Sequence, residues 1–436
     1  MAGDWETAPL SQLCEQIADC PHSTPLWTDS GVIVLRNRNI RDGRLDLSSP
    51  SYTDEAHFEQ RSRRARLKSG DLVLTREAPM GEVCMIPENL RCCLGQRMVM
   101  LRPDPKKCDP RFLLYSIQSD TVQNEIKVNE GTGSTVSNLR IPLLEALPIP
   151  CPPLSEQKAI ATVLGALDDK IELNRRMNAK LEEMARSLFQ SWFVDFDPVR
   201  AKLDGREPVG LDSETAALFP ESFQDSEAGN IPNGWSVGRV ADVSDFSRSS
   251  IHPGEFPEET FDHYSLPAFD EGQTPKAELG SAIMSNKLVV SHGSVLLSKL
   301  NPHIPRIWMP DLHVTRRSVC STEFIVSSTR PGYTREFLFA LFTSGAFASS
   351  YGTLVTGTTG SHQRIRPESV LDMKIVIPPP PLVDAFAALA KPMFDQTNRN
   401  LDQSRTLAIL RDTLLPKLLS GDLQLPGARQ LIEAHA

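Results

Sequence analysis

Residues 36–44, RNRNIRDGR, follow the apolar run VIVL and interleave arginines with asparagines. An arginine fork matches the paired acceptors of guanine, an asparagine amide matches the edge of adenine, and both donate to phosphate. Arg36, Asn37, Arg38, Asn39 and Arg41 are therefore candidate DNA contacts, with a solvated turn as the plainer alternative. The run RSRRARLK at 61–68 suits phosphate contact or simple solvation better than base reading. Two more cations, Arg76 and Lys299, end the similar segments GDLVLTR and GSVLLSK at equivalent positions and are candidate DNA contacts, with an ordinary exposed strand end as the alternative. Small residues recur in EGTGSTVSNLR (Gly131, Gly133, Ser134, Thr135) and TGTTGSHQRIR (Gly357, Gly360, Ser361). Such residues let a backbone come close to a phosphate. His362, Gln363, Arg364 and Arg366 extend the second loop with side chains able to reach bases.

Catalytic patterns are missing: there is no G-x-x-x-x-G-K-[ST], no G-x-G-x-x-G after a strand and no H-E-x-x-H. The adenine-methyltransferase signature, Asn or Asp before Pro-Pro and an aromatic, is absent too, although Asp197-Pro198 is superficially like it. GTGSTVSN lacks the lysine of a phosphate cradle. Eight cysteines form no C-x-x-C pair, so idle thiols are expected in place of a metal site. No catalytic residue and no metal ligand is expected.

The elements that must position these residues occur twice, about 225 residues apart. PRFLLYS (110–116) is echoed by REFLFAL (335–341), and LPIPCPPLSEQ (147–157) by IVIPPPPLVDA (375–385). The pattern is α+β: short strands between Gly, Pro and Asn turns, with one helix expected near 110–126 and another near 334–349. Each copy then reaches a proline-rich stop and changes to helical periodicity. The first long helix, expected over 155–192 with Ser155 as N-cap, places Ile160, Leu164, Leu167, Ile171, Leu181, Ala185, Leu188 and Trp192 in a 4-3 spacing. Asn174 and Asn178 interrupt this seam, and Asn400 interrupts the second one, made of Phe386, Leu389, Met393, Leu407, Leu410 and Leu414. Buried amides at such positions fix register, so these three are expected as register pins, in helices that pair antiparallel and give the chain a pseudo-two-fold axis. Trp192, Phe193 and Phe196 are expected to pack into a core rather than form a docking patch. A proline at Pro392 is expected to kink or delay the second helix.

A net charge of -9 argues against a nucleic-acid binder only if it is spread evenly. It is not: residues 203–228 hold seven acids against Arg206, whereas 36–68 hold nine bases against five acids. With 40% hydrophobic and 23% charged residues, no membrane-length apolar run and no signal-peptide pattern at the start, a cytoplasmic protein is expected.

The stretch PPLSEQKAIATVLGALDDKIELNRRMNAKLEEMARSLFQSWFVDFDPVRAK (152–202) resembles the first helical region of type I restriction-modification specificity subunits. GDLVLTREAPMGEV (70–83), FPESFQDSEAGNIPNGW (219–235) and LLPKLLSGDL (414–423) support the resemblance, which covers nearly the whole chain. It implies an α+β fold of two similar α/β target recognition domains, 1–151 and 232–380. Two long antiparallel coiled-coil regions, 152–200 and 381–425, would join them, with an acidic linker at 201–231 and a tail at 426–436. Each domain would read half of a split double-stranded DNA target, and the helices would set the unread spacer. Two methylation subunits and the restriction subunits would be the partners, carrying S-adenosylmethionine, ATP and Mg, with no cofactor on this chain. The rival readings are an orphan or phase-variable DNA-binding protein without an active methyltransferase, and a coiled-coil scaffold. Intact helical regions disfavour the first, and the repeated basic and Gly-rich loops the second.

Overall fold

The computed structural model describes residues 5–128, 138–312, 315–355 and 363–425. Two compact units divide the chain: Met1–Ile171 with Arg405–Ala436, and Glu172–Ser404. Each takes part of both long helices, Leu154–Phe193 and Pro380–Leu419.

Within each unit the globular part starts and finishes on one two-stranded ribbon. Thr7–Pro9 pairs antiparallel with Pro148–Pro150 in the first, and Ser236–Arg239 with Lys374–Ile377 in the second. A four-stranded antiparallel sheet follows the same plan in both. Its order is Cys14–Asp19, Met98–Pro103, Leu72–Thr75, Val83–Met85 in the first unit, and Ser244–Ser247, Phe324–Thr329, Val295–Ser298, Ile307–Trp308 in the second. All four residues of Leu72–Thr75 and of Val295–Ser298 are buried, as a continuous apolar run between turn signals dictates. A second sheet contains one parallel pair in each unit: Val32–Leu35 beside Cys92–Leu94, and Thr260–Tyr264 beside Arg317–Cys320. This is the duplicated α+β architecture that the repeats imply.

The single helix expected after each sheet is two helices. Pro110–Gln118 gives way to Asp120–Val128 at Ser119, and Arg335–Thr343 to Gly345–Thr353 at Ser344. Both serines leave the helical region, with ψ 146°. Each hydroxyl donates backwards to a carbonyl (Ser116, 2.6 Å; Leu341, 2.7 Å) and accepts from an amide of the next helix (Val122, 3.4 Å; Phe347, 3.2 Å). A serine that caps in both directions ends one helix and starts the next.

The first long helix begins at Leu154, so Ser155 lies inside it and is not its N-cap. Its expected seam is buried at Ile160, Leu164, Ile171, Ala185 and Trp192 and half-buried at Leu167, Leu181 and Leu188. The second helix departs from expectation at Leu389 and Leu410, which are 44% and 45% exposed. There the buried row is Leu382, Phe386, Ala390 and Phe394, turned toward the second unit's aromatic core. Beside Leu410, Arg411 is drawn inward by Asp168 at 2.7 Å. Pro392 neither delays nor ends the helix, which runs unbroken from Pro380. It sits on the exposed face with Ala388, so the carbonyl freed by its missing N–H meets solvent.

Both helices enter each core. In the first unit Ile160, Leu164, Leu418 and Leu419 pack with Leu13, Phe112 and Ile149. In the second, Trp192, Phe193 and Phe196 join Phe219, Trp235, Phe337 and Phe386, which bears out core packing for the three aromatics. Full burial of each such side chain is worth about 1.5–3 kcal/mol. Residues 201–231, expected as a linker, carry the helix Ser213–Ala217 and the hairpin Phe223–Ser226/Gly229–Pro232. Phe219 and Ile231 anchor that segment in the same core. Among the described residues no helix is long and apolar enough to cross a membrane.

In the second unit the buried amides face one another. Asn400 Nδ2 donates to Asn178 Oδ1 at 2.7 Å, Asn178 Nδ2 to the Thr397 carbonyl at 3.3 Å, and Asn174 Nδ2 to Gln403 Oε1 at 2.9 Å. Partner numbers fall as residue numbers rise, so the helices run antiparallel here. A one-residue slip would leave these amides unpaired. Replacing Asn400 by leucine should cost about 1–3 kcal/mol, because the Asn178 carbonyl oxygen stays buried without its donor. Urea unfolding of the full chain measures it. An N400L chain as stable as its parent would show that the amide contacts do not hold this segment, whereas N178L/N400L should recover part of the loss.

Candidate nucleic-acid interface

The strand Val32–Leu35 delivers Arg36 in extended backbone, and Asn37–Asn39 then close one turn of 3-10 helix. Asn39 builds this turn. Its Oδ1 accepts from the Arg36 amide at 2.9 Å and its Nδ2 donates to the Asp46 carbonyl at 2.9 Å. It is buried, which removes it from the candidate contacts: its amide is used by the chain itself. Asn37 likewise donates Nδ2 to the carbonyls of Glu77 and Ala78, tying the turn to the loop after the sheet's central strand. Arg36 and Arg38 remain exposed. The Arg36 guanidinium lies 5.0 Å over the Trp27 ring, and Arg38 Nη2 donates to Ser51 Oγ at 3.0 Å. Arg41 is exposed beside Asp42, 3.5 Å away.

These segments surround an open cleft of about 320 Å³, lined by Trp27, Arg36, Asn37, Arg38, Gln96 and Arg97 among others. Arg97 Nε meets Glu77 Oε2 at 2.9 Å, and Gln96 Nε2 donates to the His22 carbonyl at 2.8 Å. Trp27, Gln96 and Arg97 were not singled out by residue type or spacing. Trp27 carries one local signal, a lone large aromatic in the polar stretch HSTPLWTDSG. Gln96 and Arg97 carry none, since only the parallel pairing of residues 92–94 with 33–35 brings them here.

Arg76 is a correction. Instead of facing solvent at a strand end it is buried, with Nη1 on Asp19 at 2.7 Å, Nε on the Leu139 carbonyl at 2.8 Å and Nη2 on Asn138 Oδ1 at 3.2 Å. A desolvated guanidinium persists only where carboxylate and carbonyl partners replace water. Lys299 is half-buried. Its backbone repeats the Arg76 pattern: the Arg76 amide donates to Arg97 O and its carbonyl accepts from Leu139, while the Lys299 amide donates to Glu323 O and its carbonyl accepts from Ile365. In both units, then, the same backbone tie joins the central strand's end to the chain leaving the glycine-rich segment. Gln363 accepts at its carbonyl from the Asn301 amide (3.1 Å), and Arg364 reaches Glu323 at 2.8 Å, so Lys299, Gln363 and Arg364 are brought together. Gly131, Gly133, Ser134, Thr135, Gly357, Gly360, Ser361 and His362 lie outside the described residues.

The basic run at 61–68 divides as well. Arg61 is buried, donating to the carbonyls of Leu94 (3.0 Å) and Ser23 (2.9 Å), whereas Arg63 and Arg64 are exposed. All eight cysteines are free thiols and six are buried. Burial pushes the Cys92 thiol up to about 12, far from a reactive thiolate. Among the described residues no group of three or more His, Cys, Asp or Glu could hold a metal.

Comparison with known proteins gives this surface a context. The model of the type I restriction modification DNA specificity domain matches residues 3–183. Over 363 residues the chain is 27% identical to the specificity subunit of the type I restriction enzyme MjaIX of Methanocaldococcus jannaschii, covering 81% of this chain and 78% of that protein. It is 22% identical to the HindI specificity subunit of Haemophilus influenzae, covering 82% and 87%. The solved S subunit of a type I restriction-modification system from M. genitalium shares the fold, with a TM-score of 0.54 at 15% identity over 95% of this chain and 96% of that one.

The two kinds of arginine should separate by mutation. Arg76→Met should lower stability by about 3 kcal/mol, since it strands Asp19 in a largely buried site. Arg38→Ala should leave stability within about 0.5 kcal/mol. Thermal and urea unfolding decide, and an R76M chain as stable as its parent would return Arg76 to the surface contacts.

Proposed function

We propose that this chain, whose residues 3–183 match the model of the type I restriction modification DNA specificity domain, is the DNA-sequence-reading subunit of a type I restriction-modification complex. Each globular unit reads one half of a bipartite double-stranded target. The long helices set the unread spacer and dock two methylation subunits, with restriction subunits joining them. Chemistry belongs to those partners, which would hold S-adenosylmethionine, ATP and Mg, and this chain has no catalytic role.

The observation that carries the reading is the duplicated tie. Arg76, Arg97 and Leu139 in one unit, and Lys299, Glu323 and Ile365 in the other, hold equivalent loops with the same backbone bonds but different side chains. A shared frame with divergent side chains is what two readers of different half-sites require. The frame positions and the side chains select.

Exchange of residues 1–151 for the matching domain of another specificity subunit, followed by mapping of methylated adenines in cells that carry the partner subunits, tests this. One half of the methylated sequence should change while the other half and the spacer stay. A change in both halves would refute the two-reader assignment. Matched insertion of four residues in both helices, beside Asn178 and beside its partner Asn400, about 6 Å of helix, should lengthen the spacer by one or two base pairs at about 3.4 Å each. An active complex with an unchanged spacer would move the ruler from the helices to the partners.

A further inference from the structure

The cleft of the first unit offers fewer reading groups than its residue types suggest. Asn37 directs its amide nitrogen at two main-chain carbonyls, and Asn39 is buried with its amide nitrogen on a third, so neither presents the donor half of the amide pair that reads adenine. What remains free to donate from the turn is Arg36 and Arg38, neither of which meets a carboxylate among the described residues.

These two arginines are held differently. Arg38 is tethered by Nη2 to Ser51 Oγ and the Ser49 carbonyl at the side of the turn. The Arg36 guanidinium carbon sits over the Trp27 ring, 5.0 Å from its centroid, at the wall of the cleft. An aromatic ring beneath the guanidinium limits where that group can swing while leaving its N–H fork to donate, and planar bidentate donation distinguishes arginine from lysine. A phosphate accepts an arginine fork but is also held by the point charge of a lysine. A pair of coplanar acceptors, as on the O6/N7 edge of guanine, needs the held plane.

Among the described residues, the second unit shows no equivalent at this place. Leu35 and Tyr264 occupy the same place, each ending the strand of the parallel pair and accepting from the residue that follows its partner strand (Gly95, 2.8 Å; Ser321, 2.9 Å). Arg36 therefore corresponds to Ser265, whose hydroxyl caps the helix Leu266–Asp270 by accepting from the Ala268 amide. The turn that presents arginines in one unit is a capped apolar helix in the other.

We propose that Arg36, oriented by Trp27, is a specificity-determining residue of the first unit and that it reads one guanine in the half-site assigned to that unit. The proposal rests on the two-reader function and narrows it to a residue and a base.

Arg36→Lys keeps the charge and removes the planar fork, and Trp27→Leu keeps the arginine and removes its brace. Trp27 is 43% exposed, so its loss spares the core. Each variant, assembled with the methylation subunits, is scored by mapping methylated adenines and by competition of duplexes carrying every base at each target position. Both should relax one guanine position in one half-site, the duplex preference for guanine there falling from about 5- to 150-fold toward equality. If R36K lowers binding evenly across sequences, or leaves the motif unchanged, Arg36 is a phosphate contact or a bystander and the proposal is overturned. Relaxation at a base other than guanine overturns the assignment of the base. Relaxation in both half-sites overturns instead the two-reader reading on which it rests. Should R36K methylate nothing, the duplex competition alone decides by the same criteria.

Discussion

The contact on which the rest depends is the hydrogen bond from Asn400 to Asn178 in the seam between two helices of 40 residues each. Leucines tolerate sliding past one another with little change in energy, whereas buried amides do not, because a lost partner leaves a desolvated polar group. Around this point Asn174 engages Gln403 and Ser404, and Gln396 engages Asn400, so the amides form a short network and not a single bond. Asn174 Oδ1 stays without a partner, a price in stability for a defined alignment.

The globular parts grip the helices with different chemistry. In the first unit Asp168 accepts from the Tyr115 hydroxyl and from Arg411, both at 2.7 Å, and Arg111 pairs with Asp169. Burial, reinforced by the Asp168 carboxylate, pushes the Tyr115 phenol up and keeps it a donor. In the second unit the equivalent surface is aromatic. Phe339 meets Phe394 edge to face at 5.2 Å, and Phe337 lies against Phe189 and Phe193. At this surface ion pairs add to the apolar packing in one copy, and aromatic packing takes their place in the other. Such divergence is open to any duplicated frame whose backbone bonds are kept.

The same contrast governs the candidate site. Backbone ties at 76/97/139 and 299/323/365, and at 35/95 and 264/321, recur bond for bond, while the side chains at or beside them change from Arg97 to Glu323 and from Arg36 to Ser265. A surface rich in arginine therefore divides into cations that hold the fold, such as Arg61 and Arg76, and cations that face the cleft, such as Arg36 and Arg38. Composition cannot make that division, because a guanidinium bonded to carbonyls and one facing solvent are the same residue.

What the sequence determined by itself is periodic or local. Duplication, the α+β class, two long helices, the amides that interrupt their seams and the burial of Trp192, Phe193 and Phe196 all follow from spacing and composition, since a helix or strand needs only its own residues to declare its period. The break at Ser119 and the exposure of Leu389 and Leu410 were decided by tertiary structure. A two-way serine cap and a seam turned toward a neighbouring aromatic core depend on what packs alongside. The same holds for the site: Trp27, Arg36 and Arg97 meet only because residues 33–35 pair in parallel with residues 92–94, and Arg76 is removed from the surface only because Asp19 and the Leu139 carbonyl reach it. Contacts between segments tens of residues apart are set by which strands pair, and no local pattern encodes that choice.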